Sequence, residues 1–326
     1  MIALALAVVG LYLVWPQLVS VFSQVPKLRS ISWFWFVLMA VLEAGSFVCD
    51  WGLIRLALNE RSWFLVGTTH LTSNAASKVI PGGGAAGATT SFEMLSAGGV
   101  PSERIVSGLT ATTLISAAVL LALPVLSLPA ILFGGVSVSR TLSRALTYGL
   151  IVFALILVAG ALALFTDRPL EVVGTVAQRV RNRLARHRQP MTNLPRLLID
   201  ERNVIRGILG RHWWEALLYA AGNSLLDYSA LLAALAAVGA RPRASLVLLA
   251  YVMAQLLGMV PLTPGGLGFV EVGLAGTLGL AGVGVAQATL ATLAYRLVAF
   301  WLPIPEGGVA YLLYRRRYGQ RAARPG

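Results

Sequence analysis

Between Val79 and Leu95 the chain reads VIPGGGAAGATTSFEML, a run that disfavours any continuous membrane-crossing helix. The flanking sequence is apolar enough to lie in lipid, yet the run carries Pro81, then Gly82, Gly83 and Gly84, and later Glu93. Proline removes a backbone donor, and consecutive glycines make a helix entropically poor. Inside a bilayer the freed backbone groups meet no water. An interrupted helix therefore persists only under cover of protein or beside a water-filled cavity. The stretch is expected to form the turn of a re-entrant hairpin over residues 64–97.

A second copy of the motif follows. Displaced by 183 residues, Pro81-Gly82-Gly83 falls on Pro264-Gly265-Gly266, Leu95 on Leu278, and Gly99-Val100 on Gly282-Val283. Asp50-Trp51 precedes the first motif as Asp227-Tyr228 precedes the second. A second re-entrant hairpin is thus expected over 244–281. Paired Pro/Gly-interrupted segments at corresponding positions of two halves point to the binding site of a transporter.

Composition confines the chain to the membrane. Of 326 residues 57% are hydrophobic and 12% charged, where a soluble domain carries about a quarter charged. The net charge of +13 fits positive-inside topology better than nucleic-acid binding, because the arginines lie between apolar spans rather than along an aromatic-studded groove. The single cysteine, Cys49, excludes an internal disulfide framework, and His70, His187 and His212 show no ligand spacing. No metal and no cofactor are expected. Residues 1–23 read as a retained helix rather than a signal peptide, lacking a basic n-region and a cleavage pattern.

Full spans are expected at 1–23, 33–58, 103–123, 145–165, 212–238 and 285–303. The fold class is therefore all-α: a polytopic integral membrane protein with about six full spans, two re-entrant helical hairpins and an inverted internal repeat. Three regions follow: a first transmembrane half (1–165), a basic cytoplasmic loop (166–211) and a second transmembrane half (212–326). The loop holds ten arginines, from Arg168 to Arg211, against Asp167, Glu171, Asp200 and Glu201. Part of it reads either as an amphipathic helix on anionic inner-leaflet lipid or as a solvated loop. Arg315, Arg316 and Arg317 mark a cytoplasmic C-terminus. With both basic regions inside, the two hairpins enter from opposite sides, the inverted arrangement used for alternating access.

Several charged residues fall within apolar segments. Glu43 and Asp50 lie seven apart, on one face of the second span. They either line a pathway or hold two helices together as protonated or paired carboxylates. Lys78, close to the first turn, suits an anionic headgroup; snorkelling or pairing with Glu93 is the alternative. Asp227 and Glu271 occupy related places in the second half. Arg296 stands in LATLAYRLVAFWLP and needs an anionic partner: a substrate phosphate, or Glu271, Asp227 or Asp50. There is no nucleophile–base motif and no phosphate-cradling P-loop, so the chain is not expected to be an enzyme.

At these motifs the chain resembles the flippase-like family named after the lysylphosphatidylglycerol synthase transmembrane region. The resemblance rests on Pro81-Gly82-Gly83-Gly84, on Pro264-Gly265-Gly266 with Gly268 and Glu271, and on Arg296 before Trp301 and Pro303. The family's first motif is similar to PGRxGE; PGGGAAG stands here, without its arginine and glutamate. The resemblance implies a multi-pass protein of the cell membrane that moves a polar-headed lipid between leaflets, such as an aminoacyl phospholipid, a polyprenyl-linked sugar or a hopanoid. The expected site combines Lys78 and Arg296 on an anionic headgroup with Glu43, Asp50, Glu93, Asp227 and Glu271 along the path. Expected partners are that lipid, anionic inner-leaflet lipids, and a second copy or a partner synthase. Two other classes stay open: a membrane-embedded transferase on lipid-linked substrates, and a non-transporting accessory subunit.

Overall fold

The computed structural model describes residues 31–80, 83–127, 166–184, 213–259 and 264–322, with scattered positions between 193 and 212. The expected spans 1–23 and 145–165 and the turn residues Pro81 and Gly82 lie outside the described residues. Among the described residues all regular structure is helical. The α-helices are α1 (Trp33–Leu58), α2 (Trp63–Val79), α3 (Gly84–Ala97), α4 (Ser102–Ala122), α5 (Arg168–Leu184), α6 (Trp213–Ala237), α7 (Ala244–Gly258), α8 (Phe269–Leu280), α9 (Val285–Arg296) and α10 (Pro303–Ala322). Among the described residues, three helical segments are long and apolar enough to cross a membrane: Trp33–Leu58, Ser102–Val125 and Val285–Gly319. Helix α6 is comparably long and carries Glu215, Asn223 and Asp227.

Helices α1 and α6 form the most extensive pairing, and they run antiparallel. Gly45 faces Leu226, Cys49 faces Gly222, and Gly52 faces the Tyr219 ring. Small residues let the backbones approach closely, which is how helices associate where lipid offers no hydrophobic drive. Asn223 Nδ2 donates across the seam to the Ser46 carbonyl (3.1 Å) and to Ser46 Oγ (3.0 Å).

The two interrupted regions fold as helical hairpins. Ser62 starts α2 by accepting the Leu65 N–H at 3.1 Å, a side-chain N-cap. Helix α2 stops before Pro81 with Ile80 extended (ψ 132°), as the residue before a proline prefers. Gly83, at φ 45°, turns the chain into α3. Helix α3 then runs back along α2, with Gly87 against Ser73 and Ser77 and Gly98 against Leu65. In the second half α7 and α8 pack likewise, Gly273 against Leu257 and Val270 beside Gly258. Displaced by 183 residues, the starts of α1, α2, α3 and α4 fall within three residues of the starts of α6, α7, α8 and α9.

Helix α9 continues through a π-helical turn, Leu297–Trp301, into α10. The cause is in the sequence. In α-helical register the Ala299 carbonyl would take the N–H of residue 303, which is a proline. The ladder widens instead, with Leu302 N–H donating to the Leu297 carbonyl at 3.0 Å.

Helix α10 crosses α2 closely. A methyl group at Gly307 would meet Ala75 Cβ and the Leu71 carbonyl, whereas Gly308 faces open space. Gly307→Val is expected to destabilise the protein by about 1–3 kcal/mol through overpacking. The check is the thermal unfolding midpoint in detergent, which Gly308→Ala is expected not to lower.

Candidate functional site

The second Pro-Gly turn seats itself against the end of α2. A Cβ added at Gly265, which stands at φ 58°, would run into the Phe300 ring and lie 3.5 Å from the Lys78 Cα. A side chain at this position would meet both a positive φ and the ring. The second motif thus meets the end of α2, three residues before the first.

Three charged side chains surround this convergence. Arg296 is buried (8% exposed), and its Nε donates to Glu271 Oε1 at 2.8 Å. A second guanidinium nitrogen reaches the Gly265 carbonyl at 3.4 Å. Glu271 serves two partners, since its Oε2 also accepts the Gly268 N–H at 2.7 Å and so caps α8. The arginine's partner, open among three acids and a substrate on sequence, is Glu271. Lys78 Nζ donates to the Ala299 carbonyl at 2.9 Å, the group that Pro303 leaves without its helical donor. Both cations lie over Phe300, the arginine at 4.2 Å and the lysine at 5.3 Å from the ring centroid.

Asp227 forms the adjoining layer. Its Oδ1 accepts from Tyr295 Oη at 2.5 Å, and its Oδ2 accepts from Tyr251 Oη at 2.9 Å and Gln255 Nε2 at 2.6 Å. Helices α6, α7 and α9 are tied together through this one carboxylate. Glu43, from α1, is 6% exposed. The antiparallel α1–α6 seam, with Gly45 against Leu226 and Ser46 bonded to Asn223, sets Glu43 beside Asp227, with Lys78 and Glu306 within electrostatic reach.

Two expected site residues stand apart. Asp50 is paired with His70 Nε2 at 2.8 Å. Trp51 Nε1 donates to His70 Nδ1 at 2.9 Å. Because indole only donates, Nδ1 is the acceptor and Nε2 carries the hydrogen given to Asp50. This network ties α1 to α2. Glu93 is exposed on α3, and Lys78 turns to Ala299 instead of to it. The structure thus gathers Glu43, Lys78, Asp227, Glu271 and Arg296 with Gly265, and leaves Asp50 and Glu93 outside that group. Gly83 shapes the first turn; Pro264 and Gly266 flank Gly265 in the second.

Sequence reasoning missed Tyr251, Gln255, Phe300 and His70 as members of these networks. Pro303 carried a usable signal for Lys78, since it deprives the carbonyl four residues earlier. An apolar groove of about 620 Å³ runs between α2 and α10, lined by Trp51, Trp63, Phe64, Leu71, Leu302 and Glu306 among others.

No curated protein and no solved structure matches the chain significantly. The model of one family, described as Lysylphosphatidylglycerol synthase TM region, matches residues 2–307. That match covers nearly the whole chain, both Pro-Gly turns and every residue of the cluster, so the protein is a membrane-embedded member of the Lysylphosphatidylglycerol synthase TM region family.

Proposed function

We propose that the protein is a lipid flippase of the cytoplasmic membrane, moving a lipid with a phosphate-bearing polar headgroup between leaflets. The observation that carries this reading is the meeting of the two Pro-Gly hairpins at Lys78 and Gly265, beside the Arg296–Glu271 pair. Arginine's planar fork suits a phosphate, and lysine offers a second point charge. In this reading the headgroup exchanges with Glu271 on Arg296, and the apolar groove between α2 and α10 takes an acyl chain.

Two features support the transport architecture. Helices α2, α3, α7 and α8 have 17, 14, 15 and 12 residues. At 1.5 Å per residue each is about 18–26 Å long, short of a hydrocarbon core of about 30 Å, as re-entrant hairpins would be. Helices α1 and α6 correspond under the 183-residue displacement and yet run antiparallel, which supports an inverted repeat. In this scheme the basic segment 166–211 faces anionic lipid on the cytoplasmic side. The arginine-rich C-terminal end of α10 lies on that side too.

The test is reconstitution of the full chain in liposomes with a labelled phospholipid, following transfer to the opposite leaflet. Transfer is expected for the wild type and is expected to fall at least tenfold in Lys78→Ala and in Arg296→Ala. Transfer unaffected by both substitutions overturns the reading. A covalently altered lipid would identify a transferase. Inactivity alone, with a co-purifying synthase, would identify an accessory subunit.

A further inference from the structure

The α1–α6 register, fixed by Gly45 against Leu226 and by the Asn223–Ser46 bonds, sets Glu43 beside Asp227 and poses a chemical problem that the side chains alone do not solve. Both groups accept hydrogen bonds when ionised and donate none. At about 4 Å, two like charges repel by roughly 4 kcal/mol even at an effective dielectric constant of about 20. Asp227 is already supplied with three donors, Tyr251, Gln255 and Tyr295. Glu43 is buried, and its Oε1 has no hydrogen-bond partner.

The titratable groups within electrostatic reach of Glu43 sit on five other helices. They are Asp227 on α6, Lys78 on α2, Glu306 on α10, Tyr251 on α7 and Tyr295 on α9. Only one of them is a cation, and Lys78 Nζ is engaged by the Ala299 carbonyl. Arg296, the next cation, is held by Glu271. One positive charge is therefore owed to the pair. Both tyrosine hydroxyls and the Gln255 amide point hydrogens at Asp227, so a metal cation there would have to turn these donors away. A proton needs only the two carboxyl oxygens.

We propose that Glu43 and Asp227 form a binding site for one exchangeable proton, and that its loading and release are coupled to lipid movement. In the loaded state the Glu43 carboxyl O–H donates to the Asp227 carboxylate. On release that O–H bond breaks, the proton passes to water, and two carboxylates remain. Their charge draws the Lys78 ammonium away from Ala299, which frees the end of α2 from the π-turn. The coupling half of the proposal rests on the flippase reading; the proton site does not.

The first measurement is infrared spectroscopy of the purified full chain at neutral pH, in light and heavy water. A carboxylic-acid C=O band that shifts in heavy water, is absent from Glu43→Gln and survives in Arg296→Ala is the expected result. Absence of any band assignable to Glu43 overturns the site. Should Glu43→Gln fail to fold, Glu43→Asp serves instead, with a shifted band expected. The second measurement is transfer in liposomes under an imposed pH gradient. A rate change of up to about tenfold per pH unit is expected for one-proton coupling, and none in Glu43→Gln. Sodium dependence without pH dependence overturns the assignment to a proton. The band present with no lipid transfer under any gradient leaves the site standing and overturns the coupling, together with the flippase reading.

Discussion

Arg296→Ala is expected to abolish lipid transfer and to cost about 3 kcal/mol of stability. Removing one member of a buried ion pair costs about 3–5 kcal/mol, because the other charge stays behind without compensation. Glu271 retains some solvent access, with 22% of its side chain exposed, which places the expectation at the lower end. The substitution also strips a cation from the Phe300 ring and a donor from Gly265. Arg296→Lys restores the charge without the fork and is expected to fall between wild type and alanine in both transfer and unfolding midpoint. Pairing Arg296→Met with Glu271→Gln should recover part of the lost stability, by 1 kcal/mol or more of coupling on the scale of about 0.5–3 kcal/mol for residues in contact. Transfer should not recover, since the phosphate's fork is gone. A melting curve for Arg296→Ala that overlays the wild type would show the pair to be dispensable for the fold.

Asp227→Leu carries the second large effect. The substitution leaves Tyr251, Tyr295 and Gln255 with donors aimed at hydrocarbon. Each orphaned buried polar group costs about 1–3 kcal/mol. Even with partial rearrangement the sum exceeds about 3 kcal/mol, enough to consume much of a typical stability of about 5–15 kcal/mol. Little folded protein is expected on size-exclusion chromatography. Asp227→Asn keeps the shape and one acceptor oxygen, and is expected to fold with a lowered unfolding midpoint. Wild-type yield and midpoint for Asp227→Leu would mean that water reaches both tyrosine hydroxyls, and that the layer is hydrated rather than dry.

How much of this was legible beforehand depended on whether the cause was local. The breaks at Pro81–Gly84 and Pro264–Gly266 are backbone effects written in single residues, so the hairpin helices could be placed. The need of Arg296 for an anion was equally plain, because an arginine among apolar neighbours has few alternatives. Which acid answers it is a matter of how α8 and α9 pack, and no spacing rule carries that. Glu93 shows the opposite failure. Gly87, Met94, Leu95 and Gly98 turn the small and apolar face of α3 towards α2, and Glu93 is rotated away from that face. His70 gave no signal at all as a lone histidine in an apolar helix; its role appears only when α1 brings Asp50 and Trp51 to its two nitrogens.

The engagement of Lys78 by a carbonyl that proline has stripped, and of Arg296 by a capping glutamate, has a kinetic consequence. At rest each cation already holds a stand-in for a ligand, so under the proposed flippase function a headgroup would enter by competition and not by filling a vacancy. Its net affinity is the difference between the contacts it makes and those it displaces. A carrier gains from that difference being small. A lipid held at full strength by two bare cations would stay, whereas one held in exchange for Glu271 and Ala299 would be handed back as soon as they return.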